Sequence, residues 1–328
     1  MGIKAEEFMT PRQMMRLAID PAYVMEAAGQ PADPWQADLL RKAPSPGMRG
    51  LVVSSRQAGK STSLSSLAVW WALCRPKWDC LVIAPTLRQA VELVYKCRYV
   101  VDQLGLRLAS DSATKLVLGA TGGRIIALAA TGHIRGMTAG MAIIDEGAWV
   151  PTSVMQGSIL PMLAAVPGGG CLVSATTPAG QRGWFYEWYE NGGDQYCRWK
   201  VPYTQVKRIT KEYAAQYKAS VSRQVWAAEI SKCSAHSKSP VAVSGIPISS
   251  TQCSVMKYLF RLLTCHLHPG QQRSKGPRWG MARAFPRTTG GPSTLRSCTC
   301  LMSPIPQRGR RLGRVLLPLP IAIVRRSL

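Results

Sequence analysis

The chain has 328 residues, with 41 Lys and Arg against 17 Asp and Glu and a formal net charge of +24. No uninterrupted apolar run reaches the ~18 residues of a membrane span, and MGIKAEEFMTPRQ lacks an apolar h-region, so neither membrane insertion nor secretion is expected. The charge is uneven: residues 1–230 carry all 17 acids and 25 basic residues (net +8), whereas 231–328 carry 16 basic residues and no acid (net +16).

Taken in chain order, the first segment with recognisable chemistry is Asp33-Pro34-Trp35-Gln36. A Gln amide can pair with an adenine edge and an indole can stack on it, although core packing is the commoner fate of such a Trp. Residues 49–54 (RGLVVS) predict a buried strand, followed by SRQAGKST and a helix over 61–74. A second strand is expected at 80–85 (CLVIAP) and a helix over about 89–104. Strand-like pieces at 115–118 and 124–129 flank the turn Thr121-Gly122-Gly123, and further buried strands are expected at 141–145 (MAIID) and 171–175 (CLVSA). Short apolar strands alternating with helices predict an α/β fold with a mainly parallel central sheet flanked by helices.

Ser54–Ser61 reads S-x-x-x-x-G-K-S, a Walker A loop with Ser in place of the first glycine. Backbone N–H groups of such a loop wrap phosphates at a helix N-terminus. Gly59 permits close approach, Lys60 reaches the β/γ-phosphates, Ser61 offers a Mg2+ ligand, and Thr62 completes the loop. Asp145 and Glu146 follow four apolar residues, 85 residues after Lys60, and form the chain's one Asp-Glu step. An acid at a strand's end can hold Mg2+ through water, and an adjacent Glu can activate the attacking water as general base. Ser174-Ala175-Thr176-Thr177-Pro178 ends the next strand, where small hydroxyls can sense a γ-phosphate.

These motifs (DPWQ, SRQAGKST, AIIDE and SATTPAGQRGWFYEWYE, in that order) resemble the ATPase domain of the large terminase subunit of tailed bacteriophages, over roughly residues 20–230. The resemblance implies a P-loop NTPase fold of the ASCE/RecA-like class, with ATP and Mg2+ as cofactors. It implies an adenine-motif role for Gln36, a phosphate site of Arg56 with Gly59, Lys60 and Ser61, an acidic pair of Asp145 and Glu146, and a coupling motif over Ser174–Thr176. It also implies ATP-driven translocation of double-stranded DNA into procapsids in the cytoplasm of the host bacterium. The partners it implies are a homo-oligomeric ring, the portal protein and the small terminase subunit, with no membrane partner. Charge developing on the γ-phosphoryl group calls for an arginine. Arg56, inside the loop, could act in cis and Arg135, in HIRGMTAG, across a subunit boundary; Arg56 ranks first because the loop fixes its position. The aromatic stretch 184–199 is expected to pack rather than to stack on bases.

The expected organisation is an N-terminal adenine-motif region (1–48), the ATPase core (49–205), a helical lid or linker (206–231) and an acid-free basic tail (232–328), disordered or irregular. The family's RNase H-like nuclease domain needs several carboxylates to hold two metal ions. Residues 231–328 contain none, so nuclease activity is not expected from them. A frameshift near codon 232 accounts for the simultaneous loss of acids, periodicity and resemblance. Cys265, His266, His268, Cys298 and Cys300 fit no standard zinc spacing, and the ten cysteines form no disulfide framework. Two other readings compete: a helicase-like ATPase, which would need a second RecA-like domain, and a remnant that binds ATP or DNA without turnover.

Overall fold

The structure is a computed structural model that describes residues 9–132, 134, 136–206, 209–222 and 226. Three short helices open the chain: α1 (Pro11–Ile19), α2 (Tyr23–Ala27) and α3 (Pro34–Lys42). Then β1 (Arg49–Ser54), α4 (Lys60–Cys74), β2 (Asp79–Ala84) and α5 (Leu87–Gln103) alternate. A three-strand run follows, β3 (Leu108–Ser112), β4 (Lys115–Leu118) and β5 (Arg124–Ala129), and after it β6 (Ala139–Asp145). A helical crossover, α6 (Thr152–Val154), a π-helical turn (Met155–Ile159) and α7 (Leu160–Ala164), leads to β7 (Cys171–Thr176). The described part ends with α8 (Gly183–Asn191), β8 (Cys197–Val201) and α9 (Lys211–Ser220).

The strands form one sheet in the order β3-β4-β5-β2-β6-β7-β1-β8. From β5 to β8 every pairing is parallel, and β3-β4 and β4-β5 are antiparallel. Alternation along the central strands splits their side chains between two cores, as a period of two requires. Val52, Val82, Ile143 and Val173 face the cluster that includes α4 and α5, while Leu51, Leu81, Ile144 and Leu172 face the cluster of Met155, Leu163, Trp184 and Phe185. Both sheet faces are therefore covered, which is why these strands read as unbroken apolar runs.

From Ser63 to Cys74, α4 is buried on every side, between the sheet, α5 and the N-terminal helices. A helix apolar all round belongs at such a centre. The indole N–H of Trp70 donates to the Leu17 carbonyl at 2.8 Å, tying α1 to it.

Two edge strands differ from the sequence expectation. β3 (LASDS) is almost wholly exposed, so it lacks an apolar run, and β8 (CRWKV) is hidden in the aromatic stretch. That stretch packs. Trp184 and Phe185 are buried in an edge-to-face pair with centroids 5.5 Å apart, and the Trp199 indole donates to Asp38 Oδ2 at 2.9 Å.

Cys74, Cys80, Cys97, Cys171 and Cys197 are free thiols. Burial pushes Cys74 and Cys97 up to about 12 and Cys171 to about 11, which makes them inert packing residues. Among the described residues no helix is long and apolar enough to cross a membrane. The expected tail over 232–328, with Cys265, His266, His268, Cys298 and Cys300, lies outside the described residues, as does Arg135.

Candidate active site

The loop between β1 and α4 turns through two left-handed residues, Gln57 (φ +58°) and Gly59 (φ +91°). A positive φ suits glycine and strains glutamine. Ser54, where the usual loop begins with glycine, needs no such conformation; it is fully buried and its hydroxyl donates to the Ser55 carbonyl at 3.2 Å. The substitution therefore costs the loop nothing that glycine alone could provide. No side chain caps α4, so its leading N–H groups remain available at the loop, as anion binding at a helix N-terminus requires.

Sheet order brings the acidic pair to this loop. β7 lies between β6 and β1, pairing Asp145 with Ala175 and Thr176 with Val53. Glu146 adopts a left-handed conformation (φ +51°) as β6 passes into a 3-10 turn over Gly147–Trp149. Lys60 Nζ stands 3.3 Å from Glu146 Oε1. Glu146 Oε2 accepts from Thr176 Oγ1 (3.2 Å), Thr177 N (3.3 Å) and Thr177 Oγ1 (3.2 Å). The carboxylate is thus held from both oxygens. Gly147 is required by close approach, because a Cβ there would overlap Ser174 Oγ.

The carboxyl of Asp145 lies above its ordinary range because it is buried and because Glu146 is adjacent; Lys60 and then Lys96 oppose the rise. Its Oδ1 accepts from the Glu146 N–H at 3.1 Å.

A cleft of about 630 Å³ opens over the loop. Gln57 to Thr62 and Gln36 line it, together with Met25, Gln30 and Pro31 from the N-terminal segment and Lys96 from α5. The last four carry no motif, and only the tertiary fold reveals them.

Some expected residues take different positions. Gln36 is buried and its amide is engaged at both ends: Oε1 accepts from Asp33 N (2.8 Å) and Nε2 donates to the Gly59 carbonyl (3.1 Å). It braces the phosphate loop against α3. Trp35 packs against the core and does not line the cleft. Ser174 is fully buried beneath Gly147, and the Thr176 hydroxyl addresses Glu146, so neither hydroxyl faces the cleft where a phosphate would bind. Arg56 is exposed and outside the cleft lining; Asp145 and Glu146 are not among the lining residues either, and Glu146 meets the cleft through its contact with Lys60.

Residues 51–229 match the family described as terminase large subunit, T4likevirus-type, N-terminal. The chain belongs to this family. The large terminase subunits of Thermus virus P23-45 and Thermus phage G20c are each 28% identical to it over 193 residues, covering 52% of this chain and 39% of the relative. The chain thus spans well under half the length of these curated relatives. Its fold matches the large terminase ATPase domain of Thermus phage P74-26 (22% identity, 63% of this chain and 95% of that one, TM-score 0.53). It also matches the large terminase of thermophilic bacteriophage D6E in complex with ATP-gamma-S (19% identity, 61% and 52%, TM-score 0.51). The sheet between its two layers of helices is therefore the terminase ATPase-domain fold.

Proposed function

We propose that this chain hydrolyses ATP as the motor part of a phage terminase and couples hydrolysis to movement of double-stranded DNA. The observation that carries the reading is the meeting of Lys60, on the phosphate loop, with Glu146, at the end of β6, beside a cleft. Membership of the terminase family supports the DNA-packaging role.

Gly59 to Thr62 and the N-terminus of α4 bind the β/γ-phosphates, and Lys60 neutralises their charge. The low exposure of the Lys60 side chain (9%) strengthens that interaction. Glu146 takes the proton of the water that attacks the γ-phosphorus; the bond to the ADP oxygen breaks as the new P–O bond forms. Thr176 and Thr177 aim the carboxylate by fixing Oε2.

Ser61 and Asp145 offer oxygen donors that suit Mg2+, and a cation there would offset the burial and the neighbouring Glu146 carboxylate that raise Asp145. Mg2+ bound there supplies charge neutralisation on the phosphates. Gln36 fixes the loop, Ser174 packs under the acidic turn and Thr176 links β7 to it through Glu146, and the arginine charge comes from Arg56, turned inward from its exposed position, or from Arg135 in trans. The partners proposed are double-stranded DNA, further copies of the chain in a ring, the portal protein and the small terminase subunit, in the host cytoplasm.

The acid-free sequence after residue 230 favours one second reading, a remnant that binds ATP without productive coupling. Phosphate release by the full chain, with and without linear duplex DNA, separates the two. The motor reading expects turnover that DNA raises; binding without turnover supports the remnant.

A further inference from the structure

The phosphate end of the cleft is built from the loop, but Gln36 at its edge is buried with both amide ends hydrogen-bonded within the protein, and Trp35 lines neither this cleft nor the cavity beside it. A second cavity of about 340 Å³ shares Gln30, Thr62 and Lys96 with the first and extends it along α5 to Tyr95 and Tyr99. These tyrosines stand one helical turn apart, which puts them on one side of α5. They are 64% and 46% exposed, unlike the residues of the core. Arg98 backs the Tyr95 ring at 5.7 Å and is itself ion-paired with Asp111.

Gln30 also lines this cavity: Gly29 (φ +71°) closes α2, and the Gln30 N–H donates to the Met25 carbonyl at 2.8 Å. That helix-ending turn sets the position of the Gln30 backbone at the rim. An amide, two exposed aromatic rings and an ammonium around one cavity, the amide and ammonium shared with the cleft over the loop, match the parts of a nucleotide: hydrogen-bonding base edge, π-face and anionic tail.

Resting on the phosphate-site reading above, we infer that the nucleoside half of the bound nucleotide lies in this annex. Its base stacks on Tyr95 and Tyr99, Gln30 is at the base edge, and Lys96 meets the first phosphates. Recognition of the base would then come from α5 and the end of α2, and not from the DPWQ segment.

Calorimetric titration of the full chain with ADP and with inorganic tripolyphosphate, which has phosphates but no nucleoside, tests this. In the Tyr95→Ala/Tyr99→Ala double variant the Kd for ADP is expected to rise about 5- to 100-fold, the range of lost base stacking. The Kd for tripolyphosphate should stay within about twofold. Tyr95→Phe/Tyr99→Phe should restore ADP binding. An equal loss for both probes, or no loss for either, overturns the annex. So does selective loss of ADP binding in Gln36→Ala with none in the double variant. Lys60→Ala reports on the phosphate-site reading separately, because it should weaken tripolyphosphate binding whatever the tyrosines do. Unchanged tripolyphosphate binding in Lys60→Ala overturns that reading alone.

Discussion

Lys60 Nζ and Glu146 Oε1 lie 3.3 Å apart, so the ammonium expected to meet the polyphosphate also touches the carboxylate expected to activate water. Phosphate oxygens and Glu146 compete for one cation. Glu146→Gln removes the competitor along with the base. The variant is expected to bind ADP a few-fold more tightly while kcat falls by about 10²- to 10⁴-fold. Titration calorimetry and steady-state phosphate release read the two effects; a variant that loses nucleotide binding would contradict the pairing.

Thr176 and Thr177 act through Glu146. The Thr177 hydroxyl donates to Oε2 at 3.2 Å, and the single Thr176 proton is shared between Oε2 at 3.2 Å and the Thr177 carbonyl at 2.9 Å; a hydrogen bond to a charged group contributes about 1.5–3 kcal/mol. Thr176→Val keeps the shape and removes one donor. It should lower kcat about 10-fold or more and leave KM within about twofold, because Thr176 does not face the cleft. Equal loss in kcat and gain in KM would mean that Thr176 binds nucleotide directly.

Asp145 predicts a trade between stability and turnover. Burial and then the neighbouring Glu146 raise its carboxyl above the ordinary 3.8. The folded chain therefore holds that proton more tightly than the unfolded chain does. Stability from this group is present below the ordinary value and is lost as pH rises through the raised one. Asp145→Asn should raise Tm at pH 7, with the advantage shrinking as pH falls toward 4. Its Mg2+-dependent turnover should fall at least about 10²-fold. Scanning calorimetry at several pH values checks the first effect, and an unchanged or lower Tm at pH 7 contradicts it.

Gly147 is held to glycine by the Ser174 hydroxyl beneath it. Gly147→Ala should move the turn that carries Glu146 and lower both Tm and kcat, and the further change Ser174→Ala should recover part of both by making room. Failure of the second change to rescue would place the cost elsewhere.

The central sheet was legible because its strands are buried on both faces and read as apolar runs; β1, β2, β6 and β7 fall within two residues of expectation. The exposed pairing of β3 and the alternating β8 have no such run. The 54–61 loop and the Asp145-Glu146 step could be singled out in the sequence because the chemistry proposed for them demands fixed residue types at strand ends, and the fold brings Lys60 and Glu146 together. Gln36 shows the limit: its residue type suits an adenine edge, but its amide is engaged by Asp33 and Gly59, contacts that depend on how α3 packs beside the loop. Likewise Ser174 suggests a phosphate sensor until strand register turns its hydroxyl under Gly147. Met25, Gln30, Pro31 and Lys96 come to the cleft from separate helices, where no local spacing marks them.

For residues 232–328 we propose an out-of-frame origin, motivated by the loss of all acids after Glu229. Translating the other two frames beyond codon 232 should give an acid-bearing nuclease-like sequence in one of them. Its absence from both would favour a divergent basic tail.

The most direct measurement is ATP hydrolysis by the purified full chain beside Lys60→Ala and Glu146→Gln, with Mg2+ present. Turnover is expected in the parent chain, with a fall of about 10²-fold or more in each variant. Equal background hydrolysis in all three would contradict it.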